Sequence, residues 1–312
     1  MLASTAGRVI EVTEEARAGR QNQTRRFGLQ PCLIGLHRSI EGEEIDVLAE
    51  RLGKDAIALG IAFAAELLRL GGRLGNKHGD VAIRLHGKDL DENTWNDDTY
   101  YTSEVQKIWT DKNIKPPTVI TISFGHFWLL TPKNEHAKTG LLEVFVNDVV
   151  PKIMAKVGPA KHRILFGESM GGLNTLLVTL HYPKLFDRAL SLCPPVYKMS
   201  PFVSYSEMWD FLKRTGADPR TIFGVIKIGK DYAPTQKEWD EIAPLTLLKK
   251  ADPKIFPELY LACGLYDKYG NFEAVKEFAE SAQARGFKIE WHPMYGGHCV
   301  VDADSVANYL SR

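Results

Sequence analysis

The chain alternates between short apolar runs and longer segments whose apolar residues recur at helical spacing. Val81–Leu85 and residues 118–124, 163–168, 189–193, 258–263 and 288–293 are short apolar or β-branched runs, several bounded by turn residues, and read as strands. Residues 103–111, 141–157, 272–284 and 305–310 read as helices. In the segment 141–157, Leu142, Phe145, Val149, Ile153 and Val157 share one face, and Gly158-Pro159 stops the helix. Strands and helices in alternation over this length predict an α/β fold, a mostly parallel sheet with helices on both faces.

Two regions depart from that rhythm. Before residue 80 the pattern is weaker. Residues 1–26 mix acidic and basic side chains without an apolar core and read as a tail or one exposed helix. Residues 27–37 look like a strand broken by Pro31, hence an edge strand. Residues 43–70 are ambiguous: Ile57, Ile61, Ala64 and Leu68 keep helical spacing, yet 56–65 would also suit a buried strand; the first part reads as helix and the rest stays open. The second departure is the interval 196–257, rich in proline and in aromatics such as Tyr197, Phe211, Tyr232 and Trp239. An insertion between core strands near the ligand side of a sheet reads as a cap over a site, or as a satellite core under a long excursion. The expected organisation is a tail over 1–26 and one domain over 27–312, with the cap at about 196–257.

Charge narrows the classes of partner. Lys+Arg and Asp+Glu are equal at 39 each, so there is no electrostatic footprint for nucleic acid or an anionic membrane. Residues 56–70, the most apolar stretch, contain Glu66 and Arg69 and are too short to span a bilayer. Four cysteines are too few for a disulfide scaffold. Cys193 and Cys263 read as free thiols within apolar strands, and Cys299, beside His298, as a residue lining a site. That usage points to a reducing compartment and a cytoplasmic location, although a signal removed before residue 1 would leave the same sequence. The sequence leaves open whether the chain forms a homo-oligomer.

The chemistry concentrates at Gly167-Glu168-Ser169-Met170-Gly171-Gly172. An apolar run ends in Gly-x-Ser-x-Gly, and Leu173, Leu176, Leu177 and Leu180 follow at helical spacing. This is the layout of a nucleophile elbow, in which a strand turns sharply into a helix and leaves the serine hydroxyl exposed. Gly167 and Gly171 stand where strand and helix close on each other, and the new helix points free N–H groups at a forming oxyanion. A serine nucleophile needs a base, and the base needs a group to hold its tautomer. Of the three histidines after Ser169, His181 reads as a surface residue and His292 lies within a strand. His298 follows Gly296-Gly297 in a loop and is the expected base. Asp267, in the loop after the strand 258–263, is the expected acid, with a helix-capping role as its alternative. Asp302 and Asp304 are nearer His298 but read as the cap of the last helix, and Asp231 lies in the insertion.

The order Ser169, Asp267, His298 resembles that of α/β-hydrolases. Leu85-His86-Gly87, Gly-Glu-Ser-Met-Gly-Gly at 167–172, Cys-Gly-Leu-Tyr-Asp at 263–267 and Gly-Gly-His at 296–298 are similar to the esterase D and feruloyl-esterase branch, over roughly residues 80–312. The resemblance implies an α/β-hydrolase fold and a serine esterase acting on a small-molecule ester, with no metal or cofactor. It also implies two oxyanion donors, the amides of Met170 and Lys88. Asp89 stands where a second glycine is frequent, and the loop Gly125-His126-Phe127-Trp128 competes as a donor. His86, Gly87, His126 and Trp128 are pocket candidates. An acyltransferase on the same residues and a non-catalytic binding protein are the alternatives.

Overall fold

The computed structural model describes residues 33–35, 79–134 and 140–312. The readings for residues 1–26 and 43–70, and most of that for 27–37, lie outside the described residues.

The chain runs β1 (Leu33–Gly35), β2 (Val81–Leu85), a 3-10 turn (Glu92–Asn96), α1 (Tyr101–Asp111), β3 (Thr118–Ile122) and then a long helix, α2, over residues 141–157. β4 (Arg163–Glu168), α3 (Met170–His181) and β5 (Arg188–Leu192) follow. Four helices come next: α4 (Tyr205–Thr215), α5 (Pro219–Tyr232), α6 (Gln236–Ile242) and α7 (Pro244–Lys250). The chain closes with β6 (Glu258–Gly264), α8 (Phe272–Ala284), β7 (Ile289–Met294) and α9 (Ala303–Ser311). The strands form one sheet in the order β1-β3-β2-β4-β5-β6-β7, and every pairing is parallel.

Period-two alternation explains why both sheet faces need cover. Ile83 and Leu85 of β2 face a cluster with Phe145, Val149 and Ile153 of α2. Ala82 faces the opposite cluster with Trp109 of α1 and Val306 and Leu310 of α9. On β6, Leu259, Leu261 and Cys263 pack on Phe278 of α8, while Tyr260 and Ala262 join the α1–α9 side. Each fully buried large side chain such as Phe166 or Phe278 contributes roughly 1.5–3 kcal/mol. Helix α2 is α-wound at Leu141–Val144 and Val150–Val157 but π-wound at Phe145–Val149. Pro151 has no N–H to donate backward, and the turn before it widens to accommodate that.

The chain passes from β2 outward to β3 and then back to β4 on the other side of β2. The reversal makes the C-terminal ends of β2 and β4 the switch point, where open α/β sheets bind ligands. The excursion between β5 and β6 starts three of its four helices with side-chain caps, at Ser204, Asp218 and Thr235. Tyr197, Met208, Phe211, Leu212 and Ile222 give it a small core of its own.

Candidate active site

β4 delivers Glu168, Ser169 turns the chain at φ 53° and ψ −116°, and α3 begins at Met170. A left-handed serine is costly and persists only where its surroundings hold it. Here they do. A Cβ on Gly171 would strike the Leu85 and His86 carbonyls, so only glycine lets α3 start against the end of β2.

The structure brings Ser169, His298 and Asp267 together. His298 Nε2 lies 2.9 Å from Ser169 Oγ, and its Nδ1 lies 2.7 Å from Asp267 Oδ2. A carboxylate only accepts, so Nδ1 carries the proton and Nε2 presents a lone pair to the serine hydroxyl. The Asp267 side chain is fully buried, and its Oδ1 accepts the Tyr269 N–H at 2.8 Å. Asp267 does not cap α8, whose N-cap is Asn271; one carboxylate oxygen holds a local turn and the other meets the histidine. Gly264 has Gly296 and Gly297 carbonyls where a Cβ would be, which lets the histidine loop close on the Asp267 loop. Tyr266 N–H donates to the Gly296 carbonyl at 2.9 Å, and the Tyr269 ring lies 4.5 Å from the imidazole.

The rivals stand elsewhere. His292 stacks on Tyr260 at 4.0 Å within the sheet, and His181 Nε2 contacts the Glu241 carbonyl at 3.0 Å. Asp302 caps α9, Asp304 pairs with Lys112, and Asp231 is exposed near the end of α5.

At the β2 turn, the Gly87 amide donates to Glu168 Oε1 at 3.2 Å, whereas the Lys88 amide has no acceptor among the described residues. Asp89 sits at φ 61°, the left-handed region that favours glycine and that Asp tolerates better than most residues. Its amide donates to the His126 carbonyl at 2.9 Å, so the 125–128 loop supports the turn.

Three pocket candidates take other places. His86 and Trp128 are fully buried beneath the site, and His126 is exposed. His86 Nδ1 lies 2.7 Å from the Gly87 carbonyl, while Trp128 Nε1 donates to His86 Nε2 at 3.3 Å, an arrangement that suits a neutral imidazole. Burial pushes the His86 pKa down to about 4. Gly87 is buried 3.6 Å from the Ser169 Cβ, measured from its ideal Cβ position.

Behind Ser169 lies a polar cluster that pattern reading missed. Arg84 Nη2 meets Glu168 Oε1 at 2.5 Å with both side chains buried, and Tyr101 Oη donates to Glu168 Oε2 at 3.1 Å. Burial is the largest influence and works against the arginine's charge, but Glu168 together with Tyr101 and Tyr100 outweighs it, and the Arg84 pKa is raised. The signal was the arginine inside the apolar run Val-Ala-Ile-Arg-Leu, because a charge there needs a partner.

A cavity of about 320 Å³ opens beside Ser169, Lys88 and His298. Leu173 and Leu177 of α3, Ile228 and Tyr232 of α5, and Trp239 and Ile242 of α6 give it an apolar wall. Sequence periodicity could not separate these residues from the excursion's core.

The cysteines correct an expectation. Cys193 and Cys299 form a disulfide with Cα atoms 5.1 Å apart, and Cys263 alone is a buried free thiol among the described residues. Cys193 follows the last residue of β5 at φ 43°, which takes it off the apolar run and toward the histidine loop. The inferred reducing compartment loses that support. Cys193, His298 and Cys299 have ligand atoms within 4.8 Å of one another, but two of these atoms are the joined sulfurs. Among the described residues no helix is long and apolar enough to cross a membrane.

Comparison with known proteins adds the lineage. A family model described as "Putative esterase" matches residues 75–306. No curated protein is matched significantly by the sequence. A solved ferulic acid esterase is 15% identical with a TM-score of 0.52, covering 74% of this chain and 81% of that one. The protein DphMB1 is 16% identical with a TM-score of 0.51, covering 76% of each chain. An S-formylglutathione hydrolase (FrmB) from Staphylococcus aureus is 18% identical with a TM-score of 0.47, covering 76% and 86%. The first two share this chain's α/β-hydrolase fold.

Proposed function

The chain belongs to the esterase family, and on that premise we propose that it hydrolyses carboxylic esters by covalent catalysis at Ser169. The observation that carries the reading is the continuous chain of contacts from Ser169 Oγ through the His298 imidazole to the buried Asp267 carboxylate. In this mechanism His298 Nε2 takes the serine proton as Oγ attacks the ester carbonyl. Asp267 holds the tautomer and stabilises the imidazolium. The Met170 and Lys88 amides receive the oxyanion, a role that suits the first amide of α3 and the unengaged amide of the β2 turn. His298 then protonates the departing alkoxide, and a water activated by the same nitrogen releases the acid.

The substrate is a small ester carrying an apolar group. A 320 Å³ cavity is at the lower end of the range for ligand sites, and its wall is aliphatic and aromatic. Residues 196–257 act as the cap that keeps water from this wall.

The test uses p-nitrophenyl esters. Ser169→Ala should lose at least about 10⁴-fold in kcat with an unchanged melting temperature, and the native enzyme should label with a fluorophosphonate. Full activity in Ser169→Ala would overturn the assignment. Leu177→Trp should reduce kcat/KM for the hexanoate about tenfold relative to the acetate. Equal loss on both esters would remove the cavity from substrate recognition.

A further inference from the structure

His298 is followed directly by Cys299, and the two sides of the imidazole are anchored by different means. Upstream, the loop is joined by backbone bonds to the Asp267 loop: Leu265 N–H to the Met294 carbonyl at 2.9 Å, and Tyr266 N–H to the Gly296 carbonyl at 2.9 Å. Downstream, among the described residues, no backbone bond joins 298–301 to the sheet, and Val300 N–H turns back to Gly297. The ties there are the Cys299 sulfur and the packing of Val301 before Asp302 caps α9. The anchor of that sulfur is well chosen. Cys193 is 1% exposed, its N–H donates to the Ala262 carbonyl at 2.7 Å, and the preceding Leu192 carbonyl accepts the Ser169 N–H at 2.9 Å. One strand end therefore holds the nucleophile through a hydrogen bond and the base through a covalent bond. Both cysteines stand in the left-handed region, at φ 43° and φ 54°, conformations that non-glycine residues keep only when held.

We propose that Cys193 and Cys299 are positioning residues for His298, and that reduction of their disulfide lowers turnover by releasing the imidazole from Ser169. The inference rests on Ser169 and His298 being nucleophile and base. Cys299 is half-buried, so a small reductant reaches it, while Cys193 is enclosed and stays a fixed post. Cys263, the nearby free thiol, is buried and its pKa is pushed up by that burial, so it is a poor thiolate to attack the pair. With tris(2-carboxyethyl)phosphine the step balances: phosphine and water become phosphine oxide, and the two electrons and two protons convert the disulfide to two thiols. The apolar cavity wall comes from α3, α5 and α6, and of residues 298–301 only His298 lines the cavity, so ester binding should be largely spared.

The experiment compares oxidised and phosphine-reduced protein well below the melting temperature of the reduced form. Peptide mapping should find the 193–299 link in oxidised protein, and Cys193 and Cys299 both alkylated after reduction. On reduction, kcat should fall roughly 10- to 100-fold, with KM changed less than about twofold and activity restored by reoxidation. The rate of fluorophosphonate labelling at Ser169 should fall in parallel, which a loss of substrate binding alone would not produce. Cys193→Ser/Cys299→Ser should show the reduced enzyme's kcat with or without phosphine, and circular dichroism should show an intact fold. Unchanged kcat in protein mapped as fully reduced overturns the proposal, as does absence of the link in oxidised protein. No labelling in either state overturns the nucleophile assignment itself, and the brace falls with it.

Discussion

Ser169 and His298 meet across one 2.9 Å hydrogen bond, but the corners that carry them are built differently. The serine corner lies at the centre of the sheet, between β2 and β4, where Arg84, Glu168, His86 and the glycines of the elbow have almost no exposure. The histidine corner lies between β6 and the edge strand β7, in loops that are half-exposed and closed by backbone bonds and a disulfide. At the first corner, buried charge makes every missing partner expensive. At the second, half-exposed groups cost less to leave unpaired, and displacement of the imidazole should appear in turnover before it appears in stability.

The sharpest way to test that contrast is the acid. Asp267→Asn should lower kcat about 10⁴-fold by presenting the wrong tautomer to Ser169. Asp304→Asn, which loses only an exposed ion pair with Lys112, should stay within about twofold. Steady-state kinetics on one ester series decides it, and the reverse ranking would move the acid to α9. Next in size is the buried pair behind Ser169. Arg84→Met leaves the Glu168 charge in the sheet and should cost about 3–5 kcal/mol in urea unfolding, with Arg84→Met/Glu168→Gln recovering part of it. A cost below about 1 kcal/mol would place the serine corner on the same footing as the histidine loop.

The smallest effect is a pH dependence. His86 is buried with its pKa lowered to about 4, against 6.5 for an exposed histidine. The unfolded chain therefore binds a proton that the folded one refuses. This contribution is whole above pH 6.5 and is lost as pH falls from 6.5 toward 4, up to about 3 kcal/mol. Urea midpoints at pH 7.5 and 4.5 should differ less in His86→Gln than in the native protein, and an equal difference in both would detach the acid sensitivity from this residue.

Much of the molecule could be read without coordinates. The runs Val81–Leu85 and Arg163–Glu168 and the helix Phe272–Ala284 coincide with elements of the fold, because an apolar period of two or 3.6 is a local property. Boundaries shifted by a residue or two at β3, β5 and β7, where only the partner strand decides how far pairing extends. The elbow was equally legible, since its glycines, serine and following helix are contiguous in the chain.

Side-chain placement across the sheet was another matter. His86 and Trp128 carry the chemistry of pocket residues, yet the turn at Gly87 brings Lys88 to the cavity and leaves both rings underneath. Cys193 read as a small core hydrophobe because its run is apolar, and a pairing with Cys299 over a sequence separation of 106 leaves no local periodicity. The sequence by itself determined the sheet, the order of Ser169, Asp267 and His298 and the turn that exposes Ser169, all of which depend on neighbours in the chain. Tertiary structure alone decided which amide at the β2 turn stays unengaged, which apolar residues of the excursion line the cavity, and which cysteine pairs with Cys299. Those depend on distances between segments far apart in sequence, which no spacing along the chain encodes.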